Sequence, residues 1–538
     1  MNTLHARAAL ALAFLAAAPL AAEADDAPLA HRIVRVTLDG ATDKGTSGRL
    51  IVFAAPAAVA REAAKDGKVD AVDTNPFQPK AVSVAAREVG WIAPGQSVDL
   101  DTDGDAFPAG FSSLPPGDYV VQAVLDVNHD YNYNGRHAGD LISEATPVKL
   151  TAGGSFPVLK LTKAVPAKDP WQASPSAPQA IRDALPEARK HAHAEVMQSP
   201  SLTAFAGRPM EIRAWVVTPP GYDPDGKTRY PTVYLTHGFG GGMDRFAGTI
   251  ASVWMAMSDK SMPPMIWVLL DESGPTGTHE FADSVNNGPW GQALTTEYIP
   301  WIEGRYKMDG KVNGRFLNGH SSGGWATLWL QTRYPKVFGG TWSTSPDPSD
   351  FHDFTGIDLY APNANAYKRP DGTANPLIRD KGQVIATFDT FAHLERVLGA
   401  YGGQLASFEW VFSPRGKDGR PEPMFNRDTG AVDPDVVAYW RDHYDIAQRL
   451  RTHWPELKPD LDGKIHLIVG TADTFYLDAS AKLLKATLDG LHAKSDIRFL
   501  PGKTHFDLYV EGDDRNALLR KIAWEMYGVA RPGQGKSP

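Results

Sequence analysis

The stretch RFLNGHSSGGW, residues 315–325, gives the main clue to the C-terminal part of the chain. It places Ser321 between glycines at the spacing G-x-S-x-G, a weak motif by itself because a flexible Gly/Ser loop would also satisfy it. A strand-like run precedes the motif, and a helical pattern follows it and ends before Pro335. A strand, a tight turn at a serine and a helix make a nucleophile elbow. Glycines are expected there because the turn is strained and packs closely.

A second glycine-rich segment, HGFGGG at residues 237–242, follows the strand-like run 232–236. A plain glycine-rich turn would have the same composition, but its place directly after a strand favours an oxyanion loop. Serine acylation needs backbone N–H groups that face the developing oxyanion. We therefore predict that the amides of Phe239 and Ser322 are the two donors. The dipole of the helix that starts after Ser321 should strengthen the interaction of the Ser322 amide with the oxyanion.

A serine nucleophile needs a histidine base and an acid that orients this histidine. In proteins with a nucleophile elbow, the acid follows the serine along the chain and the histidine comes last. Asp473 ends the strand-like run KIHLIVGTAD, and His505 follows the strand-like run DIRFLPG. One helix and one strand fit between them, so both side chains are expected at the same sheet edge as Ser321. The sequence therefore predicts the triad Ser321, His505 and Asp473.

Other acidic and histidine side chains lie near these positions in the sequence. Asp478 falls within the next helical pattern, and Asp507 follows the histidine, so both are weaker candidates for the acid. His320 lies inside the elbow. His237 lies inside the glycine-rich segment 237–242, called the glycine loop below. Local packing is the more common role for a histidine at either place.

Short apolar runs alternate with helical patterns from residue 208 onward, which predicts an α/β-hydrolase fold with a mostly parallel sheet flanked by helices. The catalytic domain is expected to span 208–538, with an inserted, partly helical cap at about 346–462. Residues 25–165 predict an N-terminal β-sandwich, immunoglobulin-like or transthyretin-like, because short β runs alternate there with turn residues. Residues 166–207 are expected to form a linker and strap, with a helical pattern over 180–197.

The loop DVNHDYNYNG, residues 126–135, places oxygen-bearing side chains at alternate positions, from Asp126 to Asn134. This spacing suggests an EF-hand-like calcium loop. However, Tyr131 occupies the sixth position, where that loop needs glycine, and His137 the twelfth, where it needs glutamate. A plain Asx-rich hairpin loop is therefore the favoured interpretation.

The composition excludes several classes of function. The net charge of −9 favours neither nucleic acid nor an anionic membrane as a partner. The absence of cysteine excludes disulfides, a thiolate nucleophile and cysteine-based zinc sites. Residues 1–24 combine Arg7, an apolar run and small residues at Ala22 and Ala24, which predicts a cleaved signal peptide. We therefore expect export to a bacterial periplasm or to the medium, with no membrane span in the mature form.

Five segments resemble the putative esterase family, which includes esterase D, feruloyl esterases, enterochelin esterase and the mycolyltransferases. They are VVTPPGYDPDGKTRYPTVYLTHGFGG, FADSVNNGPWGQALTTEYIPWIEGRY, FLNGHSSGGWATLWLQTRYPKVFGG, GTADTFYL and PGKTHFDLY. The resemblance covers about 208–340 and 464–527, with a cap longer than in compact members such as esterase D. It implies an α/β-hydrolase fold and the same triad. It also suggests Trp290 as a substrate-binding residue, because that segment precedes the helix beside the elbow.

Together these features predict an exported serine carboxylic ester hydrolase that works through an acyl-enzyme. The expected substrate is an acylated or feruloylated carbohydrate or a similar small ester, with no metal and no cofactor. An acyltransferase with an alcohol acceptor and a serine peptidase are the alternatives. A non-catalytic binding protein is least favoured, because all three triad members are present. The sequence predicts no oligomeric state.

Overall fold

We analysed a computed structural model, which describes residues 30–64, 67–133, 135–151, 153–172 and 177–534. The predicted signal peptide and Asn134 lie outside the described residues. Within the described ranges, no helix has the length and apolar character needed to cross a membrane.

The described residues of the N-terminal part, called the β domain below, form nine strands and one short α-helix. They are β1 Ile33–Leu38, β2 Thr46–Pro56, α1 Ala57–Glu62, β3 Ser83–Ile92, β4 Ser97–Asp101, β5 Asp105–Phe107, β6 Gly117–Asp126, β7 Leu141–Ser143, β8 Thr146–Leu150 and β9 Leu159–Ala164. The strand order is β4-β1-β9-β7-β6-β2-β3-β5, and β8 also pairs with β6. Hydrogen bonds thus join all nine strands into one sheet. Apolar residues of β1, β4 and β9 share one core with those of β2, β3 and β6.

Strand β2 is buried on both faces, which explains its nearly unbroken apolar sequence. Leu50, Val52 and Ala54 belong to the core of the β domain. Ile51, Phe53 and Ala55 point to the opposite face and pack against Leu394 and Val397 of the cap. The β domain is therefore docked on the catalytic domain through the outer face of its own sheet.

The catalytic domain contains a central sheet and its surrounding elements. Before the cap these are α2 Gln179–Ala188, β10 Ala192–Gln198, α3 Pro200–Ala206, β11 Glu211–Val217, β12 Thr232–Thr236, α4 Ala247–Ser258, β13 Ile266–Leu270, β14 Ser273–Gly274, β15 Gly277–Thr278, β16 Asp283–Ser284, β17 Gly288–Pro289, α5 Trp290–Ala293, a π-helical turn Leu294–Tyr298, α6 Ile299–Glu303, β18 Arg315–His320, α7 Ser322–Arg333 and β19 Gly340–Thr344. The cap region and the C-terminal part contain β20 Pro376–Asp380, β21 Gln383–Thr387, α8 Phe388–Leu398, α9 Gln404–Phe412, α10 Pro434–His443, α11 Ile446–Leu461, β22 Ile465–Gly470, α12 Leu477–Gly490, β23 Ser495–Leu500 and α13 Ala517–Ala530.

The central sheet has the order β10-β11-β13-β12-β18-β19-β22-β23. Six strands are parallel to one another: β12, β13, β18, β19, β22 and β23. At one edge, β11 pairs antiparallel with β13, and β10 pairs antiparallel with β11. Strand β13 shows why the runs are apolar: Trp267 and Leu269 face one helical layer, and Val268 and Leu270 face the other. This is the α/β-hydrolase fold, and the carboxyl ends of its parallel strands carry the predicted site residues.

Residues 192–198 differ from the sequence-based expectation. The helical pattern predicted over 180–197 ends at Ala188, and β10 then pairs along its whole length with β11. A ladder of this length outweighs the local helix propensity of a segment such as AHAEVMQ. The central sheet therefore begins inside the range predicted as linker and strap.

Candidate active site

Ser321 forms the turn between β18 and α7, with φ 61° and ψ −126°. A residue with a side chain adopts such positive φ only where its surroundings hold it there. The Ser321 amide donates to the Thr344 carbonyl at 3.1 Å, and the Ser321 carbonyl accepts from the amides of Trp325 at 3.0 Å and Asp347 at 3.2 Å. The strained turn is thus fixed by hydrogen bonds to neighbouring elements.

The elbow glycines are needed because backbone approaches them closely. A Cβ atom on Gly319 would lie 2.1 Å from the carbonyl oxygen of Gly323, and one on Gly324 would lie 2.7 Å from that of Thr344. In the glycine loop, a Cβ on Gly238 would lie 3.1 Å from the Cβ of Ser321. The loop that carries Phe239 therefore packs directly against the elbow.

His505 and Asp473 follow the neighbouring strands β23 and β22 and form a buried pair. His505 Nδ1 lies 3.0 Å from Asp473 Oδ2, and the side chains are 5% and 0% exposed. Asp473 Oδ1 also accepts from the amides of Phe475 and Leu477. Burial alone would raise the pKa of Asp473, but the hydrogen bond and charge of His505 and the Phe475 amide outweigh it and lower this pKa below the usual value. An ionised Asp473 accepts a hydrogen bond from the Nδ1–H of His505 and leaves His505 Nε2 available as a base.

Two further histidines near the site have structural roles. Desolvation lowers the pKa of His320 to about 3, with a contribution from the charge of His505, so its ring is neutral and packs 4.4 Å from that of His505. His237 lies 2.8 Å from the Gly238 carbonyl through Nδ1 and accepts from the Glu272 amide through Nε2. It therefore fixes the glycine loop to the end of β13.

Ser321, His505 and Phe239 line one cavity of about 320 Å³ with mostly apolar walls. Three parts of the chain supply these walls. The β domain contributes Pro76, Phe77 and Tyr133, the cap contributes Phe354, Leu377, Ile378, Phe388, Phe391, Leu405 and Phe408, and the segments around the triad contribute Phe475, Leu477 and Phe506. An apolar group attached to the attacked carbon would fit such walls.

Asp347 is a cavity residue that the sequence analysis did not identify. It accepts a 2.6 Å hydrogen bond from the Ser322 hydroxyl at the start of α7. Burial raises the pKa of Asp347 to about 6, although the Ser322 hydrogen bond opposes this shift. Its position just after β19, at the carboxyl edge of the sheet, was the signal that could have pointed to it.

Trp290 does not reach this cavity. Its ring stacks on His279 with centroids 3.6 Å apart, and its indole N–H donates to the Asn287 carbonyl. The side chain is almost fully buried and packs with His279 and Phe281. It lines a second cavity, of about 690 Å³, which also borders Phe239 and the glycines after it.

The two weaker acid candidates have other partners. Asp478 pairs with Arg379 at 2.9 Å and Lys482 at 2.7 Å. Asp507 accepts from the amide and hydroxyl of Thr504. The predicted site residues that the structure brings together are thus Ser321, His505, Asp473, Phe239 and Ser322.

The family model described as putative esterase matches residues 206–506, more than half of the chain. Esterase Rv1288 of Mycobacterium tuberculosis is 29% identical over 141 residues, which cover 26% of this chain and 30% of that protein.

Solved structures that this chain matches include a ferulic acid esterase, 15% identical, with a TM-score of 0.37 over 63% of this chain and 98% of that one. An S-formylglutathione hydrolase from Agrobacterium tumefaciens is 13% identical, with a TM-score of 0.36 over 63% of this chain and 94% of that one. On the extent of the family match, this chain belongs to the putative esterase family.

Proposed function

We propose that this protein is an exported serine carboxylic ester hydrolase with Ser321 as nucleophile, His505 as base and Asp473 as the orienting acid. The observation that carries the proposal is that Ser321, at the strained elbow, and His505, paired with the buried Asp473, line the same apolar cavity. The predicted signal peptide at residues 1–24 supports export.

The reaction follows from these positions. His505 Nε2 takes the Ser321 hydroxyl proton as Oγ attacks the ester carbonyl carbon, and Asp473 stabilises the imidazolium. The tetrahedral intermediate then collapses, the alcohol leaves with the proton from His505, and Ser321 remains acylated. A water molecule activated by His505 attacks the acyl-enzyme and releases the carboxylic acid.

The amides of Phe239 and Ser322 are the proposed oxyanion donors. Ser322 begins α7, so its amide has no acceptor inside the helix and benefits from the positive end of the helix dipole. Phe239 follows Gly238, which packs closely on Ser321, so the loop that carries the Phe239 amide lies beside the elbow. Each such donor is worth about 10²–10³ in rate.

The cavity supports an ester with an apolar acyl group, either aromatic, as in a feruloyl ester, or a medium-length alkyl chain. Among the described residues, its lining includes many phenylalanines and neither lysine nor arginine. A free carboxylate or phosphate near the acyl group would therefore lack a cationic partner. Acylated or feruloylated carbohydrates remain the proposed natural class, with the sugar on the alcohol side.

A panel of p-nitrophenyl esters from acetate to octanoate, with methyl ferulate and an acetylated sugar, tests this proposal. We expect kcat/KM to rise with the apolar area of the acyl group, by roughly threefold or more per buried methylene before the cavity is filled. Ser321→Ala should lose at least ~10³ in kcat. Equal hydrolysis of every ester by the wild type and by Ser321→Ala would refute the proposal.

A further inference from the structure

The loop that follows β6 brings three carboxylates together, far along the chain from the triad. One carboxylate oxygen from each of Asp126, Asp130 and Asp140 lies within 4.8 Å of the other two. Asp126 is 1% exposed and Asp140 is 0% exposed. Three negative charges at this separation repel each other strongly unless a cation compensates them or one carboxyl keeps its proton.

Asp140 provides a second and independent observation. Its Oδ2 accepts a 2.7 Å hydrogen bond from the His137 amide, but its Oδ1 is buried and has no hydrogen-bond partner among the described residues. A buried carboxylate oxygen without a partner is costly. A carboxylate with such an oxygen, close to two more carboxylates, is a candidate ligand for a cation.

The loop reaches this arrangement in a way that differs from an EF-hand. Tyr131, at the position where that loop needs glycine, is buried and packs 5.8 Å from Phe53. His137, where that loop needs glutamate, lies 3.0 Å from Asp130 Oδ1 through its own Nδ1. The third carboxylate comes instead from Asp140, three residues later.

We propose that Asp126, Asp130 and Asp140 bind one divalent cation of the calcium type. Calcium takes six to eight oxygen ligands, roughly 2.3–2.6 Å away, in flexible geometry, so backbone carbonyls and water can complete the shell. Magnesium is a poorer fit because it demands near-ideal octahedral geometry. The ion has an access route, since Asn128 and Asp130 also line an open cavity of about 690 Å³ between the β domain and the glycine loop.

The proposed ion lies where it would fix the contact between the two domains. A Cβ on Gly402 of the cap would lie 2.3 Å from the Asp130 carbonyl oxygen, so the loop backbone is seated directly on the cap. From the same loop, Tyr133 packs 4.5 Å from Phe391 and lines the cavity of Ser321. Bound cation should therefore stabilise the folded protein and its domain contact.

The test uses the full chain, treated with EDTA and dialysed, in calorimetric titrations and thermal unfolding with CaCl₂ and with MgCl₂. We expect one calcium per chain, weaker magnesium binding and a rise of several degrees in Tm with calcium. Asp140→Asn should bind calcium at least tenfold more weakly and show no calcium-dependent rise. In EDTA it should be at least as stable as the wild type, because one of the three repelling charges is gone.

Asp118→Asn, at an exposed position on the same strand β6, is the matched control and should respond to calcium like the wild type. A wild-type chain with no heat of calcium binding and the same Tm in EDTA and in calcium would overturn the proposal. So would an Asp140→Asn variant that binds calcium as tightly as the wild type. If Asp140→Asn fails to fold, the wild-type measurements still decide.

Discussion

Phe77 of the β domain packs edge-on against Phe506, the residue after the base His505, with ring centroids 5.7 Å apart. Both rings line the cavity of Ser321, and Phe506 is 65% exposed. The β domain is thus part of the wall of the active-site cavity. We infer that it contributes to the choice of acyl group.

Phe77→Ala should therefore change substrate preference more than chemistry. Loss of the ring removes apolar contact with a long or aromatic acyl group, so we expect KM for such esters to rise roughly 5- to 30-fold with kcat nearly unchanged. Acetate esters should respond much less. Steady-state kinetics on both ester types measures this, with Trp91→Ala as a control because Trp91 is an exposed aromatic residue of the same domain outside the cavity lining. An unchanged KM for long acyl esters would exclude a role for Phe77 in binding.

Gly238→Ala should disturb the proposed oxyanion loop. The added Cβ would lie 3.1 Å from both the Ser321 Cβ and the His320 carbonyl oxygen, so the loop must shift away from the elbow. We expect kcat to fall by about 10²-fold or more, as for loss of one oxyanion donor. Gly248→Ala is the control, because a Cβ there meets nothing within 4 Å. Similar kcat values for the two variants would argue against the assigned loop.

Asp473→Asn tests whether Asp473, rather than the nearby Asp507, is the acid of the triad. The amide cannot stabilise the imidazolium and favours the wrong tautomer of His505, so kcat should fall by about 10⁴. Asp507→Asn, two residues from the same histidine but bound to Thr504, should keep kcat within a few-fold of the wild type. Both kcat values are measured on one p-nitrophenyl ester. A larger loss of kcat in Asp507→Asn than in Asp473→Asn would show that Asp507 is the acid.

The buried carboxyl of Glu272 should make the free energy of unfolding depend on pH. Burial raises the pKa of this carboxyl well above the ordinary value of 4.5, and the charges of Asp347 and Asp271 add to the shift. The folded protein therefore keeps the proton where the unfolded chain ionises, so the free energy of unfolding falls as the pH rises above 4.5.

Glu272→Gln removes this titration. The variant should gain more than about 1 kcal/mol in free energy of unfolding relative to the wild type between pH 4 and pH 8, since one pKa unit corresponds to about 1.4 kcal/mol. Urea unfolding at both pH values measures the difference, with the exposed Glu422→Gln as control. A difference between variant and wild type that is the same at pH 4 and pH 8 would show that Glu272 is ionised in the folded state.

Local motifs account for the parts of the site that the sequence could predict. Ser321, the glycine loop, Asp473 and His505 each follow a strand at a recognisable turn, and parallel strands bring such turns to one edge. The walls could not be predicted in the same way. Phe77 and Tyr133 reach the cavity only because the β domain docks on the cap, a long-range contact without a local signal.

Two other features depended on packing in the folded protein. The segment 192–198 has a helical pattern, but its ladder with β11 makes it a strand. Trp290, predicted as a substrate-binding residue, stacks on His279 and lines the cavity beside the glycine loop rather than the cavity of Ser321. Local sequence chemistry specified neither of these contacts.

Labelling with a fluorophosphonate probe, followed by intact-mass and peptide mass spectrometry, tests whether Ser321 is the nucleophile and His505 its base, because the probe reacts with activated serines. We expect one adduct per chain, on the peptide that contains Ser321, and almost none with Ser321→Ala or His505→Ala. An adduct on another serine, or equal labelling of Ser321→Ala and the wild type, would exclude Ser321 as the nucleophile.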